Sequence, residues 1–226
     1  MLAQTEYADY LLLEWRLFHE DRSRAIATLA AVDDTSVVRV LDVGCGAGQE
    51  LFPFVTSLSA YGVGVDLTFE AGQAVRDLFG ASRARVAFAN ASAECLPFLS
   101  GAFDVVVCRI ALPYMHNRRA LSEIARVLRP GGRLLLKIHA PDYYVAKMKS
   151  GLIARNWLST IHAIRTIVAG AVYHVTGRQF RNRFMGYEVF QSNRRLRGDL
   201  KRCGMRIVTE MPDSNRLSPS FVCEKV

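Results

Sequence analysis

The run Val40-Leu41-Asp42-Val43-Gly44-Cys45-Gly46-Ala47-Gly48 constrains this chain more than any other stretch. Val37 to Val43 is mostly β-branched and apolar, the pattern of a parallel strand buried on both faces. Three glycines at alternate positions follow, which let the backbone turn sharply and let a ligand approach it closely. A helix is expected next, with Pro53 tolerable only near its first turn. Strand, glycine loop and helix together make a nucleotide-type site at the carboxyl end of a strand.

The residue types around the loop narrow the ligand. A dinucleotide fingerprint reads G-x-G-x-x-G and seats a pyrophosphate on the helix N-terminus. Here the spacing is G-x-G-x-G, with Asp42 two residues before the first glycine. A carboxylate beside the loop repels a pyrophosphate and suits a ligand with an ammonium group. No Lys or Arg lies between Val40 and Arg76, so a phosphate is expected to find no cationic side chain locally. The missing Gly-Lys-Ser/Thr excludes a P-loop.

The same nine residues resemble motif I of the class I S-adenosylmethionine-dependent methyltransferases, the group containing ubiquinone/menaquinone-biosynthesis enzymes (methyltransferase type 11). The likeness continues in order and register over about residues 36 to 140. Gly62-Val63-Gly64-Val65-Asp66-Leu67 resembles the family's second strand, and Ser92-Ala93-Glu94-Cys95-Leu96-Pro97-Phe98 its Asp-Ala-Glu-x-Leu-Pro-Phe. Phe103-Asp104-Val105-Val106-Val107 resembles the fourth strand, and Ala125 to Leu134 the junction of helix and fifth strand. The resemblance implies a Rossmann-like, doubly wound α/β fold with a mostly parallel seven-stranded sheet, and S-adenosylmethionine as cofactor. Asp42 would then hold the amino end, directly or through the loop, and the backbone at Gly44, Cys45, Gly46 and Gly48 the methionine part. Asp66, 24 residues beyond Asp42, would accept from the ribose hydroxyls, since a carboxylate can take both protons. Leu67 would pack on the adenine, and Ser92 and Ala93 would meet its edge. Arg109, ending the fourth strand, is counted with the cofactor set. The family usually has Asp where this chain has Ser92, so charge assistance is lost there unless Glu94 supplies it. A plainer reading makes Asp66 a helix cap. Asp104 and Pro130-Gly131-Gly132 read as structural.

At 226 residues and 22% charged, the chain is long and apolar enough for one buried α/β domain. Its five cysteines show no metal spacing, so no metal site is expected. Cys45, Cys95 and Cys108 are expected as core thiols, and with no signal-like N-terminus the residence expected is cytoplasmic. Charge is uneven. Residues 1–142 hold 14 basic and 16 acidic residues, whereas 143–197 hold ten basic residues and only Glu188 as acid.

One domain over 1–226 is expected, with residues 1–35 as a helical cap and 141–188 as a helical lid inserted after the fifth strand. Helices are expected over Thr5–His19, Asp21–Ala31, Glu50–Leu58, Thr68–Phe79, Arg118–Leu128 and Val189–Arg202. Between them, strands fall at Val37–Val43, Gly62–Asp66, Arg85–Ala89, Val105–Arg109 and Arg133–Ile138. Met205–Glu210 and Pro219–Glu224 form a C-terminal antiparallel hairpin. Leu152 to Val175 reads as one helix with a wide apolar stripe at 153, 157, 161, 164, 168, 171, 172 and 175, slightly weakened by Gly170. Arg178 to Phe184 interleaves basic and aromatic residues. Besides a packed lid, the segment 150–184 is compatible with contact to an anionic membrane surface. Nucleic acid ranks lower, because the basicity is confined to this insertion.

Methyl transfer is an in-line displacement, in which the protein orients the acceptor and excludes water. The acceptor pocket is expected beyond the fourth and fifth strands, with Tyr7, Tyr10, Trp15 and Tyr143 as candidate lining. A hydroxyl acceptor needs a base, and His139 and His116 are the candidates near strand ends. Leu112-Pro113-Tyr114 resembles the Asp/Asn-Pro-Pro-Tyr of amino-group methyltransferases but lacks its polar residue and one proline, which excludes that acceptor class. The acceptor is expected to be a small or lipid-like molecule. The alternatives are a nicotinamide-dependent dehydrogenase, disfavoured by Asp42 and the glycine spacing, and a non-catalytic cofactor-binding or membrane-surface module.

Overall fold

The computed structural model describes residues 4–32, 37–80, 85–180 and 186–226. Seven strands form one sheet: β1 Arg39–Val43, β2 Tyr61–Asp66, β3 Val86–Asn90, β4 Phe103–Arg109, β5 Leu128–Lys137, β6 Met205–Glu210 and β7 Ser220–Lys225. Their order is β3-β2-β1-β4-β5-β7-β6. All pairings are parallel except those of β7, which runs antiparallel to both β5 and β6. The terminal hairpin therefore closes with β7 inside the sheet and β6 at its edge. Strand order reverses between β1 and β4, and a crevice opens there at the carboxyl ends.

The central strands are apolar on both faces because both are covered. Leu41, Val43, Val106, Cys108, Leu134 and Leu136 pack on one side with α5 (Asn117–Val127) and α8 (Asn193–Arg202). Val40, Val105, Val107 and Leu135 pack on the other with α3 (Phe52–Ser57) and α4 (Phe69–Leu78). This period-2 division of a continuous apolar run is what the sequence pattern requires. Asp42 falls on the second face, between Val40 and the loop. Asp104 ties the sheet's lower end, accepting from the N–H groups of Val38 and Arg39 and from Arg129. Pro130-Gly131-Gly132 forms the bulge where β5 shifts register against β4.

Helix α1 (Gln4–Glu20) lies against α4, followed by α2 (Ser23–Ala30). Trp15 of α1 packs on Phe52 and Phe79 rather than facing a pocket. Beyond β5, the expected single helix is two: α6 (Pro141–Ile153) and α7 (Trp157–Thr176). The break has a local cause. Arg155 sits at φ 53, and the Asn156 side chain caps α7 by accepting from the Ser159 N–H. The late helix also starts later than expected, at Asn193 with Ser192 as its cap. Cys95 is exposed rather than in the core, because it lies on the loop after β3.

Helix α7 turns its apolar stripe outward. Its buried face is small or hydroxyl-bearing: Thr160, Ala163, Thr166, Ala169, Gly170 and Tyr173. Tyr173 donates to the buried Asp199 on α8, which also pairs with Arg118, Arg195 and Arg202. A Cβ at Gly170 would lie 2.2 Å from the Phe190 ring, so glycine here permits close packing. We expect Gly170→Ala to destabilise by roughly 1–3 kcal/mol through overpacking, despite Ala's better helix propensity. Gly198→Ala on α8, where a methyl meets nothing within 4 Å, should instead stabilise by up to about 1 kcal/mol. Urea unfolding midpoints of the two variants check both signs.

Candidate active site

A cavity of about 780 Å³ opens at the carboxyl ends of β1, β2, β4 and β5. The glycine loop forms one wall. Gly44, Gly46 and Gly48 have φ of 73°, 51° and 77°, the left-handed region that side chains disfavour. The Gly44 and Cys45 N–H groups both donate to the Val65 carbonyl, fixing the loop to β2. A Cβ at Gly44 would sit 2.4 Å from the Ala111 Cβ. Gly48 faces away from the cavity onto Val75 and Phe79, so its role is packing.

Asp66 ends β2 and lines the cavity. One carboxylate oxygen accepts from the Gly46 N–H, and the other from the Thr68 N–H and hydroxyl. The cap reading and the ligand reading therefore coexist, because a carboxylate offers about four acceptor sites. Leu67, 72% exposed, stands beside it. Ser92, Ala93 and Glu94 form the opposite rim. The Ser92 hydroxyl accepts from the Glu94 N–H, and the Glu94 carboxylate from the His116 N–H.

Asp42 is buried under the loop and outside the cavity wall, with one oxygen unpartnered. Burial, then the charges of Glu50 and Asp66, holds its carboxyl well above the usual range. Gln49, on the wall, also has a buried unpartnered oxygen. Beside them lies a ladder of charges. Glu14 approaches Arg24, Arg24 pairs with Glu50, Glu50 with Arg109, Arg109 with Asp213, and Asp213 with Lys137. Arg24, Arg109 and Lys137 all line the cavity. This corrects the expectation of no local cation: α2, β4 and β5 bring three, from positions far away in sequence. Each is matched by a carboxylate, and the Asp213 carboxyl is lowered to about 2 despite its burial by Lys137 and Arg109. Ile110 adds a strained backbone at the same rim, with φ of 61° for a β-branched residue.

On the acceptor side, Tyr7, Tyr10, Tyr114 and Met115 line the cavity. Burial and the nearby Asp66 push the Tyr7 hydroxyl up to about 12. Tyr114 hydrogen-bonds Glu188, a buried acid that also accepts from Tyr144 and lies 2.7 Å from His162. Sequence reading missed Glu188; its one signal was being the only acid in a strongly basic segment. His116 and His139 do not line the cavity. His116 precedes α5, and His139 stacks on Tyr143 with its Nδ1 3.1 Å from Ser218.

Residues 40–132 match a methyltransferase domain family. The glycine loop, the acidic end of β2 and this strand order agree with that match, which covers about two-fifths of the chain. Residues 40–132 carry a class I methyltransferase domain. Among curated proteins, it is similar to the uncharacterized methyltransferase YcgJ of Bacillus subtilis, at 39% identity over 108 residues, 46% of this chain and 42% of YcgJ. It is also similar to the 27-O-demethylrifamycin SV methyltransferase of Amycolatopsis mediterranei, at 32% identity over 59% of this chain and 47% of that protein. The chain thus spans somewhat under half the length of these relatives. An O-methyltransferase family protein from Burkholderia thailandensis shares the fold, with a TM-score of 0.66 and 16% identity over 98% of this chain and 60% of that one.

Among the described residues no cluster fit to hold a metal is present. Burial depresses the His139 imidazole from 6.5 to about 4. Its stability contribution is full above 6.5 and falls as pH drops toward 4, because the unfolded chain binds the proton first. We expect His139→Phe to flatten the fall in urea midpoint across that window; an unchanged slope would contradict the depressed value.

Proposed function

We propose that this chain transfers a methyl group from S-adenosylmethionine to the hydroxyl of a small-molecule or lipid-like acceptor. The supporting observation is the pairing of a glycine cradle with unpartnered acceptors at one end and Asp66 at the other. An amino-acid end with one ammonium and one carboxylate fits a wall where both charge signs lie close. The carboxylates around Arg24, Arg109 and Lys137 offset their charge, which disfavours a pyrophosphate here.

In this reading Asp42 and Gln49 favour the ammonium, Asp42 acting through the loop above it. Gly44, Cys45 and Gly46 hold the methionine part by backbone, and the balanced cations Arg24, Arg109 and Lys137 attract its carboxylate. Asp66 accepts from the ribose hydroxyls, while Leu67, Ser92 and Ala93 bound the adenine. The cofactor supplies a methyl on a sulfonium, whose positive charge is lost on transfer. The protein aligns the acceptor oxygen and keeps the site dry.

The proton of the acceptor hydroxyl has a route through Tyr114. When the acceptor hydroxyl reacts, Tyr114 would take its proton and pass its own to Glu188. Tyr114 stands on the cavity wall, where His116 and His139 do not. The relatives named for O-methylation agree with a hydroxyl acceptor. Residues 1–35 act as a cap and 141–188 as a lid over the acceptor, and 150–184 as contact to an anionic lipid surface. No helix among the described residues is long and apolar enough to cross a membrane.

Calorimetry tests the cofactor site. Asp66→Ala should weaken S-adenosylmethionine binding about tenfold or more, the scale of one or two charge-assisted hydrogen bonds. Unchanged affinity would remove Asp66 from the ribose role.

A further inference from the structure

The proposed chemistry leaves the outward stripe of α7 unused. Trp157, Ile161, Ile164, Val168, Ala171 and Val175 follow one another at three- and four-residue steps on a single exposed face. Leu158 is 83% exposed, and Ile153 at the end of α6 is 86% exposed. Soluble helices put large apolar side chains inward and small polar ones outward. Helix α7 does the reverse, burying threonines, alanines and a glycine. Its fold contacts are made by the small face and by Tyr173, so the stripe is free to meet something else.

Charge identifies what that is. Residues 143–197 hold ten basic residues against one acid, and that acid, Glu188, is buried. Lys149, Arg155 and Arg178 are exposed at the ends of the two helices. A second copy meeting this face by two-fold symmetry would set one basic segment against another, which is unfavourable. An anionic lipid surface complements both the charge and the apolar stripe. At 20 residues α7 is about 30 Å long, and Trp157 at its start suits the headgroup boundary.

We propose that α7 lies in the plane of an anionic membrane, with Trp157, Ile161 and Val168 in the acyl boundary and Lys149, Arg155 and Arg178 among the headgroups. This deepens the lipid-surface part of the proposed function and rests on it. It sets the insertion, whose Glu188 adjoins the cavity-lining Tyr114, against the bilayer from which an apolar acceptor can enter.

The test is flotation of the full chain with phosphatidylcholine vesicles containing roughly a third phosphatidylglycerol, at low salt. We expect flotation on these and not on pure phosphatidylcholine, with a blue shift of emission that Trp157→Phe removes. Ile161→Glu should cut binding roughly ten- to hundredfold while leaving the unfolding midpoint unchanged. Three results would overturn the assignment: no flotation on anionic vesicles, equal flotation of Ile161→Glu, or a concentration-dependent dimer that Ile161→Glu dissolves. The last gives the face to a second copy. Calorimetry with S-adenosylmethionine on the same protein separates the two claims, since flotation without cofactor binding sinks the enzyme reading alone.

Discussion

Every other part of the site depends on the crowding at Gly44. There the backbone leaves β1 with φ of 73°, and a methyl group would come within 2.4 Å of the Ala111 Cβ. Only a residue without a side chain lets the loops after β1 and β4 pass this close. The crevice at the switch in strand order opens beside that contact. With the loop pinned to the Val65 carbonyl, its N–H groups and the Asp66 carboxylate are fixed together before any ligand arrives. Preorganisation of this kind lowers the cost of binding.

Beneath the loop, charge is balanced rather than absent. The ladder from Glu14 to Lys137 joins α1, α2, α3's approach, β4, β5 and the β6–β7 connection through ion pairs. Arg109 and Glu50 are almost wholly buried, so removing either partner would leave an uncompensated charge, which is strongly destabilising. The ladder holds the two ends of the chain against the central strands. Asp42, buried beneath the loop, takes no part in the ladder and keeps one unpartnered oxygen.

The strands were legible because burial on both faces writes a continuous apolar run, as in Val40 to Val43 and Val105 to Cys108. Turn chemistry marked the glycine loop, the Pro130-Gly131-Gly132 bulge and the hairpin. What could not be read were facts of three-dimensional proximity. Arg24, Arg109 and Lys137 lie more than ten residues from the loop in sequence yet share its cavity. Glu188 meets Tyr114 across 74 positions. The apolar period in Leu152 to Val175 correctly signalled helix but not its break, which the Asn156 cap creates. Nor did the period say which side faces out, because an apolar stripe reads alike whether it meets a core or a membrane. The Thr and Ala positions between its members carried that information.

On the proposed function, the buried Asp42 and a balanced charge wall seat a zwitterionic sulfonium rather than a dinucleotide. Titration calorimetry with S-adenosylmethionine and with NAD tests this most directly. Heat with S-adenosylmethionine is expected, with affinity weakened in Asp42→Asn while the fold is kept. Heat with NAD alone, or an unchanged affinity for S-adenosylmethionine in Asp42→Asn, would contradict it.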